Sequence, residues 1–380
     1  MIAFLINELD IRGGTHKQLL KLLEYTSART DEFFIVTKQA DLDKTYPGFR
    51  KFENKIRIFK EIKSNGGLLR RLKIRRDNIK LLRSIISDTD CINIHDQGFE
   101  RYFPAFKGRK VIWQVNDLPG IFQVGVFKNI KLNLKSQLFK KIFLHNSNVV
   151  NRFTVNVTKN ADRIKEAFHR SADVLYCGIE PVGIKHDVNK SLERFGKNKL
   201  NLLSSGVFFP YRNYETQIDV VDALLKMGID VHLNIIGSTE LDEDYSKKIK
   251  DLISQKGLQN NITVCGQVDE ATFRKLHGEA DIFIFINVDQ SWGLAVFEAM
   301  SCGIPVIVSE SVGATEILEN DKNALFVNPK NPDEIVSKIT DLMHNPETYA
   351  SLCEVSSKFH ERYSWDDAYS APVFKILIEP

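Results

Sequence analysis

One carboxylate stands inside an otherwise apolar helical run, Leu294-Ala-Val-Phe-Glu298-Ala-Met300. An ionised group among such neighbours is costly unless something specific bonds to it. Glu298 is therefore either a buried glutamate satisfied by backbone or a grip on a ligand diol such as that of a ribose. Gly293 opens the run, where the missing Cβ lets backbone amides approach a ligand at a helix start. Gln290 and Trp292 stand just before it, and Gly303-Ile-Pro305 returns the chain to an apolar run, after which Gly313-Ala-Thr-Glu316 is expected to begin another helix. A second constellation lies near the start, where Gly13-Gly14-Thr15 precedes a helical stretch carrying Leu19, Leu20, Leu22 and Leu23. Paired glycines there make either a flexible turn or a cradle that holds an anion on the helix dipole. Neither this stretch nor Ile236-Gly237-Ser238-Thr239 spells Gly-x-Gly-x-x-Gly, so a nicotinamide dehydrogenase fits poorly.

These residues need elements to hold them. Short apolar runs recur at Ile2–Ile6, Phe33–Thr37, Cys91–Ile94, Val111–Val115 and Val174–Tyr176 in the first half. In the second half they recur at Leu200–Ser204, Val231–Ile236, Ile262–Cys265, Asp281–Ile286 and Pro305–Val308. Runs of this length alternating with amphipathic helical stretches imply βαβ units and parallel sheets covered on both faces. Ligands in such sheets bind beyond the carboxyl ends of the strands. His186–Lys199 is polar without either period and reads as an interdomain linker.

The net charge of +3 conceals an asymmetry. Residues 1–190 hold 35 Lys/Arg against 20 Asp/Glu, a balance of +15, and residues 191–380 stand at −12. The basic half suits phosphate or an anionic membrane surface. Nucleic acid is not expected, because no DNA- or RNA-binding signature accompanies the charge. Leu68–Arg83 has seven basic residues and one acid interleaved with leucine and isoleucine, and Lys128–Lys141 adds a second basic stretch. Such a helix either lies on an anionic bilayer or packs its apolar stripe on the sheet. Five scattered cysteines without a Cys-x-x-Cys pair read as reduced thiols, a cytoplasmic pattern with no structural zinc expected. No apolar run reaches the roughly 18 residues that span a bilayer.

The stretch 287–319 resembles glycosyltransferase family 4, whose signature places two glutamates eight residues apart within E-x-FGL-x-x-x-EAMA-x-G-x-PVI. Here the first is Gln290 and the second is Glu298. Other stretches resemble the family in order: Gly13-Gly14, Tyr176-Cys-Gly178-Ile-Glu180, Ser205-Gly206 with Arg212, Gly266-Gln267-Val268, and the closing Tyr363-Ser-Trp365. The resemblance implies an α/β protein of GT-B architecture, two Rossmann-like domains with parallel sheets facing across a cleft. Residues 1–190 would form the acceptor domain and 191–365 the donor domain, with 366–380 crossing back to the first. It implies a retaining hexosyltransferase without metal or other cofactor, using a GDP- or UDP-sugar as co-substrate. The acceptor would be a glycan or lipid-linked molecule in cell-surface polysaccharide synthesis, with the protein cytoplasmic or peripheral on the membrane. The wording around 290–300 is similar to mannosyltransferases, which favours GDP-mannose.

By the same resemblance the donor is held by Gly13, Gly14, Gly206, Arg212, Gln267, Val268, Gln290, Trp292, Gly293, Leu294 and Glu298. Catalysis falls to Gln290, Arg212, Asn116 and Asp117. The family's arginine after Gly206 is Val207 here and its lysine after Arg212 is Asn213, leaving Arg212 as the strong cation with Tyr211 and Asn213 as neutral helpers. Its histidine after the fourth strand is replaced by Asn116-Asp117. Asp88-Thr-Asp90 spells the metal–diphosphate motif of another glycosyltransferase architecture, but it precedes a strand. His95-Asp96 follows one and reads equally as a structural turn. A nucleotide-sugar epimerase of the same fold and an inactive sugar-nucleotide-binding protein are the competing readings.

Overall fold

The computed structural model describes residues 1–63, 67–119, 122, 134–289 and 292–379. The chain divides into two compact units, Met1–Cys177 with Trp365–Pro380, and Gly178–Ser364.

The first unit is built on seven parallel strands in the order Ile56–Ile58, Phe33–Thr37, Ile2–Ile6, Cys91–His95, Lys110–Gln114, Arg152–Val155 and Ala172–Val174. Ile2–Ile6 and Cys91–His95 are buried at every position, as strands covered on both faces must be. The core on one side joins Ile92, Ile94, Phe103, Trp113, Phe143 and Phe153. The order reverses between Ile2–Ile6 and Cys91–His95, so the loops that follow these two strands flank a topological switch point. Helix Gly14–Ser27 starts at that point and buries Leu19, Leu20, Leu22 and Leu23.

The second unit has six parallel strands in the order Ile262–Gly266, Asp230–Ile236, Lys199–Ser205, Ile282–Phe285, Val306–Ser309 and Leu325–Val327. Its switch point lies between Lys199–Ser205 and Ile282–Phe285. Three short strands carry too few apolar residues to stand out in sequence: Ile56–Ile58, Arg152–Val155 and Leu325–Val327.

The segment expected as a linker is folded. Val188–Phe195 is a helix capped by Asp187, whose carboxylate accepts from the Lys190 amide. Arg194 and Ser191 grip the fully buried carboxylate of Asp281 at the foot of strand Ile282–Phe285. Upstream, Ile179 donates to the Tyr363 carbonyl at 2.7 Å and His186 to the Cys302 carbonyl at 2.8 Å. These bonds tie residues 178–195 into the second unit and set the division at Cys177/Gly178 instead of 190/191. Gly313–Glu316 forms one 3₁₀ turn and not the start of a longer helix. No helix of the described residues is long and apolar enough to cross a membrane.

Candidate functional site

The second unit gathers its site residues on the loops that leave the switch-point strands. Beyond Ser205 the chain runs through Gly206 into a 3₁₀ turn, Pro210–Arg212, that folds back. The Arg212 guanidinium lies so close over Gly206 that a Cβ there would come within 2.5 Å of its Cζ. It also sits 5.2 Å from the Tyr211 ring centroid and 5.4 Å from that of Phe285. Nε is buried without a hydrogen-bond partner, and no described carboxylate pairs with the group. The residue as a whole is half-buried.

Glycine is required around it. Gly237, at φ 151°, would place a Cβ 1.8 Å from the Gly206 carbonyl oxygen. The loops are laced together by Gly206 N to Ile236 O at 2.7 Å and Gly237 N to Gly266 O at 2.9 Å. Gly237 entered the sequence reading only as a departure from the dinucleotide motif; the close approach of two loops makes it part of the site. Gly266 is left-handed at φ 68° and leads to exposed Gln267 and half-buried Val268.

Across the switch point, Gly293 at φ 97° is the N-cap of helix Leu294–Ser301, and no side chain of the described residues caps it. A Cβ at Gly293 would meet Phe285 and Val312 at 3.1 Å. Arg212 and Gly293 thus meet at Phe285, the last residue of its strand. Trp292 is buried against Phe297 with centroids 5.0 Å apart, and its carbonyl accepts from Ala314. Glu298 is half-buried on the helix, near enough to His277 and Cys302 for its charge to favour the protonated form of each, although burial lowers the His277 pKa overall. Gln290 lies outside the described residues.

One expectation about the phosphate helpers does not survive. Asn213 is left-handed, and its Nδ2 donates to the carbonyls of Ile286 at 3.2 Å and Pro329 at 2.7 Å, while its Oδ1 accepts from Thr216. Both of its N–H groups are spent on holding strand ends together.

The first unit carries its own group of polar residues. Gly13 caps helix Gly14–Ser27 without a side-chain bond, and a Cβ on it would touch His16 Nδ1 at 3.3 Å. Asn116, expected to face a ligand, is turned inward. Its Nδ2 donates to Thr15 Oγ1 at 2.9 Å and Gln18 Oε1 at 3.0 Å, and its Oδ1 accepts from Gln114 at 3.0 Å. Asp117 is exposed, and its amide donates to Asp96 Oδ1 at 3.3 Å. Burial, then the neighbouring charge of Asp117, push the Asp96 carboxyl up to about 7. His95 is buried with neither ring nitrogen bonded, and burial brings it down to about 3. Asp90, of the Asp-x-Asp pair, lies just before strand Cys91–His95 and pairs with the amino group of Met1 at 3.0 Å. Among the described residues no group of three or more His, Cys, Asp or Glu is arranged to hold a metal.

Residues 187–358 match the family model described as glycosyl transferases group 1. An uncharacterized glycosyltransferase of Methanocaldococcus jannaschii is 30% identical over 221 residues, 54% of each chain. A sulfoquinovosyl transferase of Arabidopsis thaliana is 24% identical over 296 residues, 67% of this chain and 56% of that one. The chain thus spans little more than half the length of these curated relatives. HepE of Anabaena, solved with UDP and glucose, superposes with a TM-score of 0.76 at 15% identity, over 100% of this chain and 99% of that one. WaaG, a glycosyltransferase involved in lipopolysaccharide biosynthesis, gives 0.73 at 13% identity with both chains fully covered. Residues 187–358 are thus similar to the glycosyl transferases group 1 family, within a chain whose two parallel-sheet units have the fold of these GT-B glycosyltransferases.

Proposed function

We propose that this protein transfers a hexose from a nucleoside-diphosphate sugar to a glycan or lipid-linked acceptor, with retention and without a metal. The observation that carries the reading is Arg212: a guanidinium with a buried, unbonded Nε, laid over Gly206 beside an uncapped helix start. Such a place suits a diphosphate, since the cation and the amides of Leu294 and its neighbours supply charge and donors together. Negative charge grows on the departing diphosphate, and preorganised groups that meet it lower the barrier by several kcal/mol. Glu298 holds the ribose, Trp292 and Gly293 shape the approach, Gln267 and Val268 lie along the base, and Gln290 bonds the sugar hydroxyls.

With Asn116 turned inward, the donor-sugar contact that the resemblance gives to this loop falls to Asp117. Retention follows from a front-face displacement, since no carboxylate among the proposed donor contacts is placed as a nucleophile. HepE was solved with UDP and glucose, while the wording around 290–300 favours GDP-mannose, so the donor test spans both bases. Thermal stabilisation by GDP- and UDP-hexoses, followed by turnover with and without acceptor in EDTA, tests the proposal. Failure of every nucleotide sugar to stabilise the protein would overturn it. Conversion of donor to an isomer without acceptor would point to epimerisation.

The surface for a lipid-linked acceptor is on the basic unit. Helices Leu68–Ile85 and Leu134–Asn146 share a groove of about 320 Å³ lined by Leu72, Arg75, Arg76 and Ile142. Leu69 is 83% exposed and Phe139 56% exposed on the same two helices. Apolar side chains set among cations suit an anionic bilayer, each cation near the surface contributing about 1 kcal/mol. Changing Arg70, Arg71, Arg75 and Arg76 to Glu should abolish sedimentation with anionic vesicles and leave nucleotide binding intact. Equal sedimentation of both proteins would refute the membrane reading.

A further inference from the structure

The residues around Asn116 form a directed chain of hydrogen bonds. Thr154 Oγ1 donates to Gln114 Oε1 at 2.7 Å, and Gln114 Nε2 donates to Asn116 Oδ1 at 3.0 Å. Asn116 Nδ2 then donates to Gln18 Oε1 and to Thr15 Oγ1. Gln18 passes its own N–H to Cys177 Sγ at 3.6 Å. Gln18, Gln114, Asn116 and Thr154 are all buried, so each amide orientation is fixed by its partners and not by solvent. Asn116 has both N–H groups engaged, which leaves it no hydrogen to donate to a ligand.

Thr15 is where the chain ends. Its hydroxyl accepts from Asn116, and no described residue takes the hydroxyl proton. A hydroxyl whose lone pair is occupied by a fixed donor must direct its proton elsewhere. Thr15 is half-buried, directly after Gly13-Gly14, at the carboxyl end of strand Ile2–Ile6 where the first sheet changes direction. The six side chains of the relay are neutral, which suits an uncharged hydroxyl better than a diphosphate, whose charge Arg212 is placed to meet.

We infer that Thr15 donates a hydrogen bond to a sugar hydroxyl, and that Asn116 is the positioning residue that aims it. The inference rests on the transferase reading for the source of that sugar, either the donor hexose or the acceptor glycan. Four probes separate the sources: UDP and GDP alone, UDP-glucose, GDP-mannose, and methyl hexosides. Thr15→Val should weaken at least one sugar-bearing probe by about tenfold, a bond lost with its partner left unmade. It should leave UDP and GDP unchanged, and Thr15→Ser should restore the affinity. Loss with the nucleotide sugars assigns the contact to the donor hexose, and loss with the hexosides assigns it to the acceptor.

Asn116→Asp removes the N–H that Thr15 accepts and offers it an acceptor instead, so adding Thr15→Val in that background should cost nothing further. Thermal unfolding of each variant shows that the fold is kept. The inference is overturned if Thr15→Val binds every sugar-bearing probe like wild type, if UDP and GDP weaken equally, or if Thr15→Ser fails to rescue. It is also overturned if the two substitutions act additively. A wild-type protein that binds neither UDP nor GDP refutes the transferase reading alone, and the hexoside arm still decides Thr15.

Discussion

Replacing Arg212 with alanine separates its two roles. In the free protein the guanidinium gains cation–π contact with Tyr211 and Phe285, each worth about 0.5–1 kcal/mol at a partly exposed site. Against this stands a buried Nε with no acceptor, which costs about 1–3 kcal/mol. The two nearly cancel, so Arg212→Ala should change unfolding free energy by no more than about 1 kcal/mol in either direction. In turnover nothing offsets the loss. With Val207 and Asn213 at the places of other cations, and Asn213 committed to Ile286 and Pro329, kcat should fall by about a hundredfold or more. Affinity for the intact nucleotide sugar should fall less, because its diphosphate has not yet gained the charge that develops as the bond to the sugar breaks. Arg212→Lys should rescue only in part, since an ammonium lacks the planar fork that grips two oxygens. The assay is kcat, nucleotide Kd and urea unfolding for the three proteins. A near-normal kcat in Arg212→Ala would show that another cation carries the diphosphate. A loss of several kcal/mol in stability would make Arg212 a structural residue.

Glu298→Ala should weaken nucleotide binding by about 1.5–3 kcal/mol, the worth of a charge-assisted bond, and unchanged calorimetric affinity in a folded variant would remove the ribose role. Gly237→Ala should lower stability and nucleotide affinity together, because its Cβ would overlap the Gly206 carbonyl at 1.8 Å; a crystal structure with the loops unmoved would refute the clash. Arg194→Ala leaves the Asp281 carboxylate buried without its cation and should cost about 3–5 kcal/mol by urea unfolding, whereas a loss below 1 kcal/mol would mean that Ser191 and the Asn201 amide suffice. His95 titrates near 3 in the folded chain against an ordinary 6.5, so its contribution is present above pH 6.5 and drains away as pH falls toward 3. This amounts to about 1.4 kcal/mol per pH unit. His95→Phe should therefore lose about 2.3 kcal/mol less than wild type between pH 6.5 and 4.5, and parallel acid limbs for the two proteins would refute the assignment.

Much of the architecture was legible in local pattern. Ile2–Ile6 and Phe33–Thr37 coincide with their apolar runs to the residue, because a strand buried on both faces has no polar side to blur it. Gly293 before an apolar helix, and the diglycine before a leucine-rich one, mark helix starts that need no contact from elsewhere to be recognised. Val188–Phe195 was misread for the converse reason: its polarity is local, but its hold on Asp281 joins residues 87 positions apart. The inward turn of Asn116 is of the same kind, since Thr15 lies 101 residues away and only the order of the strands brings the two together. So is the need for glycine at 237, set by a loop 31 residues earlier in the chain. Composition and periodicity dictated which segments become strands and helices, because those preferences act within a turn or a pleat. Which side chains are consumed in holding the loops was decided by sheet order, through hydrogen bonds that no local pattern encodes.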